Sequence, residues 1–255
     1  MGIASDVVIM AADAGGEEWL DRNLGYDRWC QQERLRYVKL RRGLMERGLG
    51  IIGKVQRMGY EVFADAKISG IPDEVMESAS NYLKYKPWML NVMAGACSSE
   101  LMVSGDPKQV DALKRFADAC LAVGTKPCAV TVLTSKPAEM VAREFGGRTP
   151  IEQVLEYVWM LLEAGFTDVV CSPQEVSAIR GESAFAGLAL NTPGVRLPGS
   201  GIRDQARIAT PAGALKAGAD RLVIGQDLTN LAKGTLGQNF AQIAAHLEEE
   251  RVLSC

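Results

Sequence analysis

Two residues in the run Val62-Phe63-Ala64-Asp65-Ala66-Lys67-Ile68-Ser69-Gly70-Ile71-Pro72 could do chemistry. An aspartate and a lysine two positions apart lie on the same face of a β-strand, because successive side chains alternate across it. Phe63, Asp65 and Lys67 then share one face, and Val62, Ala64 and Ala66 the other. The apolar set must turn to a packed layer, which leaves an ammonium and a carboxylate aimed together at an open side. A fixed lysine beside a carboxylate can stabilise developing negative charge or move a proton. The same residues, joined by Lys39, can equally form a structural ion-pair network. Two lysines around one carboxylate leave one surplus positive charge, which suits an anionic guest.

The elements that must hold these groups follow from periodicity. Short β-rich runs recur at 7–12, 36–40, 60–66, 88–93, 126–133, 167–171, 187–191 and 220–225. Helical spacing separates them, as in 150–164 and in 211–218, where Thr210 and Pro211 read as N-cap and first helical residue. Eight strands alternating with helices in 255 residues predict an α/β chain folded as a (β/α)8 TIM barrel. The rival, an open doubly wound sheet, lacks support: no Gly-x-Gly-x-x-Gly follows the first strand and no Gly-Lys-Ser/Thr loop is present. No linker or change of composition divides 1–255, so one domain is expected, closed by an amphipathic helix from about 236 that carries Phe240, Ile243, Ala244 and Leu247.

In such a barrel, chemistry gathers where the strands end. The polar residues there are Asp13, Lys39, Asp65, Lys67, Asn91, Thr134, Ser135, Pro193 with its backbone, Gly225 and Gln226. The bulk composition narrows the guest. A net charge of -3 and no Lys/Arg cluster longer than a pair argue against nucleic acid and against a membrane surface. No apolar run approaches the ~18 residues a bilayer requires, and no cleavable leader precedes the first strand, so a cytoplasmic protein is expected. Cys30, Cys97, Cys120, Cys128, Cys171 and Cys255 form no CxxC pair and read as packed thiols, not metal ligands. The single histidine, His246, lies on the terminal helix, away from every strand end.

From Asp13 to about Asn230 the chain resembles the orotidine 5'-phosphate decarboxylase family. The resemblance is carried by Ala-Ala-Asp13, Val38-Lys39, Asp65-Ala-Lys67 leading to Ile-Pro, and Thr131-Val-Leu-Thr-Ser135. It continues through Thr192-Pro-Gly-Val-Arg196, Asp204-Gln205-Ala-Arg207, Thr210-Pro, Ala217-Gly-Ala and Val223-Ile-Gly225. It implies a decarboxylase that needs no cofactor or metal, converts orotidine 5'-phosphate to UMP and works as a homodimer. Lys39, Asp65 and Lys67 would form the catalytic set, with Lys67 protonating C6 as carbon dioxide leaves. Asp13 and Lys39 would hold the ribose, Ser135 the pyrimidine, and Gln205 with the Gly225 backbone the phosphate; Asn91, Thr134, Pro193 and Gln226 complete the expected substrate contacts. Metal-dependent sugar-phosphate relatives place a glutamate where Lys39 stands, which disfavours that class.

Two departures open an alternative. The family reads Asp-x-Lys-x-x-Asp, but the second aspartate is Gly70 here; the residues the family lends to a neighbouring subunit are represented by Gly70, Ile71 and Glu74. Glu74 could supply the missing carboxylate, or simply begin a helix after Pro72. Gln226 replaces the arginine that clamps phosphate, with Arg203 a candidate substitute, and Met93 stands where relatives often carry histidine. A site lacking the aspartate should hold Lys67 less firmly and turn over slowly, and Gly70→Asp should restore speed. The alternative is a diverged paralogue acting on another pyrimidine nucleoside, nucleotide or related anion, or a weakly active or inactive member.

Overall fold

A computed structural model describes residues 3–13, 17–25, 35–97, 107–200 and 209–250. Eight strands form a closed, all-parallel barrel in which each strand pairs with its neighbours in sequence. They are β1 (Val8–Ala11), β2 (Tyr37–Leu40), β3 (Glu61–Ile68), β4 (Met89–Met93), β5 (Lys126–Val130), β6 (Asp168–Val170), β7 (Ala189–Thr192) and β8 (Arg221–Ile224). Closure is made by β1 on β8, with Ile9 opposite Val223.

Alternation sorts the strand residues into two cores. Ile9, Tyr37, Phe63, Met89, Cys128 and Val223 pack inside the barrel. Val8, Met10, Val38, Leu40, Val62, Ala64, Leu90 and Ile224 face outward and bury against the helical layer. Burying a side chain of this size contributes about 1.5–3 kcal/mol, so the outer layer supplies most of the apolar driving force.

The helices start where local chemistry stops the strands. Thr149 accepts from the Glu152 N–H while the Glu152 carboxylate accepts from the Thr149 N–H, a capping box that opens helix Pro150–Glu163. Thr210 caps Pro211–Lys216, and Thr235 with Gln238 opens Leu236–Glu249. That last helix buries Phe240, Ile243 and Leu247 on the outside of the barrel.

A polar plug closes the N-terminal end. Asp168, fully buried, accepts from Arg221 at 2.8 Å and from Asn191 at 3.2 Å, with the Lys126 ammonium 3.8 Å away. The Arg221 guanidinium lies over the Trp88 ring, which packs on Tyr37 at 4.2 Å between centroids with the two rings tilted by 30°. Sequence reading did not single out this plug.

Most strand boundaries fall within one residue of expectation, and three differ by two or more. Strand β5 ends at Val130 rather than at 133, because the Thr131 hydroxyl and N–H both turn to the Val170 carbonyl and the chain leaves the sheet. Strand β7 runs two residues later than 187 at its start. Strand β3 extends to Ile68, past the expected 66, through an irregular stretch that bears directly on the site.

Candidate active site

Strands β1 to β3 and the residues that follow them bring four charged side chains into contact at the C-terminal end of the barrel. The Lys39 ammonium donates to Asp13 Oδ2 at 2.8 Å and to Asp65 Oδ2 at 2.9 Å. The Lys67 ammonium donates to Asp65 Oδ1 at 2.5 Å. Asp65, only 5% exposed, therefore has both carboxylate oxygens occupied by cations.

The electrostatics follow from this wiring. Burial alone would raise the Asp65 carboxyl, but Lys39 and Lys67 outweigh it and hold it well below the usual carboxylate range. Burial would likewise discharge Lys39, yet Asp65 and Asp13 keep it above its ordinary value. For Lys67 burial wins, assisted by Lys39 and Arg41 against the pull of Asp65, and its ammonium is lowered. Of the two lysines, Lys67 is thus the readier proton donor.

A cavity of about 410 Å³ opens above these groups, within the range that holds a small-molecule ligand. Asp13, Lys39, Asp65, Lys67, Thr134, Pro193, Gly225 and Gln226 line it, so eight of the expected rim residues converge on one space. Apolar walls come from Phe63, Val130, Val132, Val170 and Val223.

Other expected residues lie elsewhere. Ser135 is exposed in the turn after β5 and does not line the cavity. Asn91 is fully buried behind Asp65: its amide nitrogen donates to Asp65 Oδ1 at 2.7 Å, and its oxygen accepts from the Lys67 N–H at 2.7 Å. Gly70, Ile71 and Glu74 sit at the start of helix Pro72–Leu83, outside the cavity lining, with Ile71 62% exposed. The Glu74 carboxylate accepts from the Ile71 N–H at 3.3 Å, which is the helix-start arrangement. Gln205 and Arg203 lie outside the described residues.

The expected surplus of one positive charge needs correction, because Asp13 closes on Lys39. Two lysines and two aspartates cancel. The excess comes instead from Arg41 and Arg196, which also line the cavity and leave it two cations ahead among the described residues. Sequence reading gave neither arginine a role. Arg41 could have been found by continuing the alternation of β2: Lys39 inward, Leu40 outward, Arg41 inward. Its guanidinium donates to the Asp65 carbonyl at 3.4 Å.

Comparison with known proteins points in one direction. The sequence pattern of the orotidine 5'-phosphate decarboxylase / HUMPS family matches residues 42–234, which include Asp65, Lys67 and Asn91 but not Asp13 or Lys39. Orotidine 5'-phosphate decarboxylase of Pseudoalteromonas translucida is 38% identical over 182 residues, covering 71% of this chain and 74% of that protein. The Halorhodospira halophila enzyme of the same name is 37% identical over 197 residues, covering 77% and 79%. The crystal structure of orotidine 5'-phosphate decarboxylase from Lactobacillus acidophilus superposes with a TM-score of 0.72 at 27% identity, over 95% of this chain and 99% of that one.

Proposed function

Because the chain belongs to the orotidine 5'-phosphate decarboxylase / HUMPS family, we propose that it is a cofactor-independent carbon–carbon lyase that converts orotidine 5'-phosphate to UMP. The observation that carries this reading is the Lys67–Asp65 contact of 2.5 Å at the cavity floor, with Lys67 the more acidic of the two lysines.

The substrate carboxylate would lie against Asp65. Two like charges ~4 Å apart repel by roughly 4 kcal/mol at an effective dielectric of 20, and departure of neutral carbon dioxide relieves that repulsion. As the C6–carboxylate bond breaks, its electron pair stays on C6. The Lys67 ammonium stabilises that carbanion and delivers a proton to it, forming the C6–H bond of the product; the neutral amine then recovers a proton from solvent. Lys39, held between Asp13 and Asp65, fixes both carboxylates, and Asp13 would accept from a ribose hydroxyl. Arg196, Gly225 and Gln226 also line the cavity and would meet the substrate phosphate.

A cytoplasmic homodimer belongs to the same reading, with exposed Ile71 and Glu74 and half-buried Gly70 offered to the partner subunit. A second reading keeps the barrel and the lysines but takes a different pyrimidine nucleoside, nucleotide or related anion. Gln226 in the cavity lining favours it, since a neutral amide replaces a charge-assisted bidentate contact worth about 1.5–3 kcal/mol.

The test is direct. Purified protein mixed with orotidine 5'-phosphate should show the ultraviolet absorbance change of decarboxylation. No turnover, together with thermal stabilisation by some other pyrimidine nucleotide or nucleoside, would transfer the assignment to the second reading.

A further inference from the structure

The pairing of β3 with β4 contains an imbalance. Phe63 stands opposite Met89 and Ala64 opposite Leu90, but the next matched pair is Ile68 with Val92. Three residues of β3, Asp65 to Lys67, are therefore faced by one residue of β4, Asn91. Such a bulge breaks the ladder and leaves backbone groups to be satisfied by other means. Within it Lys67 adopts φ +48, a left-handed conformation that residues with a side chain seldom hold without outside support.

Asn91 gives that support and does more. Its Oδ1 accepts from the Lys67 N–H at 2.7 Å, and because a backbone N–H can only donate, the orientation of the amide is fixed. The other end must then donate, and it does so to Asp65 Oδ1 at 2.7 Å, the same oxygen that takes the Lys67 ammonium. With Asn91 fully buried, water cannot replace either bond.

We propose that Asn91 is a positioning residue for the reaction: from behind the cavity, one amide joins the Lys67 backbone to the Asp65 carboxylate, so ammonium and carboxylate keep a fixed separation while charge moves between substrate and enzyme. In this site the role that a further carboxylate would play in steadying Lys67 is taken by a neutral group on the adjacent strand. The turnover consequences rest on the decarboxylase reading; the geometry of Lys67 does not.

The experiment compares wild type, Asn91→Ala and Asn91→Asp. Asn91→Asp keeps the shape and the acceptor for the Lys67 N–H but turns donation to Asp65 into repulsion, so it remains informative if Asn91→Ala does not fold. Turnover of orotidine 5'-phosphate is followed against pH. In parallel, acylation of the Lys67 amine is followed against pH by peptide mass spectrometry, with the exposed Lys114 as internal reference.

Asn91→Ala should lower kcat about 10- to 100-fold while KM stays within about threefold, the signature of an interaction that matters in the transition state. In Asn91→Asp the acid limb of the pH profile should move to higher pH, because adjacent carboxylates raise one another. The Lys67 acylation profile should shift in both variants, while that of Lys114 does not. A folded Asn91→Asp protein whose kcat, pH limb and Lys67 profile match wild type would overturn the proposal. Should wild type itself fail to decarboxylate, the functional reading falls, and the Lys67 profile alone decides the role of Asn91.

Discussion

At the scale of single residues, the site contrasts two lysines that share one carboxylate. Lys39 bridges two aspartates and is held charged, whereas Lys67 has one acidic partner and lies toward the cavity. Lys67→Ala should therefore lower kcat by about 10²–10⁴-fold, the range of a positioned proton donor, with the fold intact by circular dichroism. Survival of full turnover would remove Lys67 from the mechanism. Gly70 changes the expectation attached to the missing aspartate. Its φ of +142 is a conformation suited to glycine, and a β-carbon built there would lie 2.6 Å from the Glu74 carboxylate. Gly70→Asp is thus expected to lower the melting temperature and to bring no gain in kcat; a faster enzyme of unchanged stability would show that the segment accommodates the side chain. The pair Asp65 and Lys67 was legible in the sequence because a two-residue spacing on a strand speaks for itself. The role of Asn91 was not, since nothing local signals that β3 carries two more residues than β4 across this stretch.

At the scale of elements, alternation and caps made the architecture readable, while strand ends depended on tertiary partners. The Thr210–Pro211 helix start read from the sequence forms as expected, and the Thr149–Glu152 capping box, which sequence reading did not single out, forms as well. Thr149→Ala should cost about 1 kcal/mol. In a protein of this size that corresponds to roughly 2–4 °C in melting temperature, measurable by calorimetry with activity unchanged. By contrast, the end of β5 at Val130 is set by Val170 on β6, a residue 40 positions away that no window around Thr131 contains. The polar plug beneath the barrel went unread for the same reason: Tyr37, Trp88, Lys126, Asp168 and Arg221 come from five strands or strand entries, and each alone is an ordinary residue.

For the molecule as a whole, the buried charges tie stability to pH. The folded chain keeps Asp65 ionised at pH values where the unfolded chain, with an aspartate pKa near 3.9, has already taken a proton. The unfolded state then binds more protons, and stability should fall as pH drops below about 4. Thermal unfolding followed from pH 7 to pH 3 checks this, and Asp65→Asn should flatten the acid branch while lowering stability at neutral pH. The thiols act in the opposite sense. Burial pushes Cys97 up to about 11 and Cys120 up to about 12, so almost none of either is thiolate at neutral pH. Iodoacetamide at pH 7 should leave these two unmodified in the native protein and label both in denaturant; ready native labelling would mean that the helical layer opens. Closure of the sheet by Ile9 against Val223 has a final effect on folding. Until the last strand finds the first across more than two hundred residues, both bear unpaired backbone groups, and any intermediate caught at that stage offers two raw margins to another chain. Aggregation during refolding should therefore rise with protein concentration and subside once that seam has sealed.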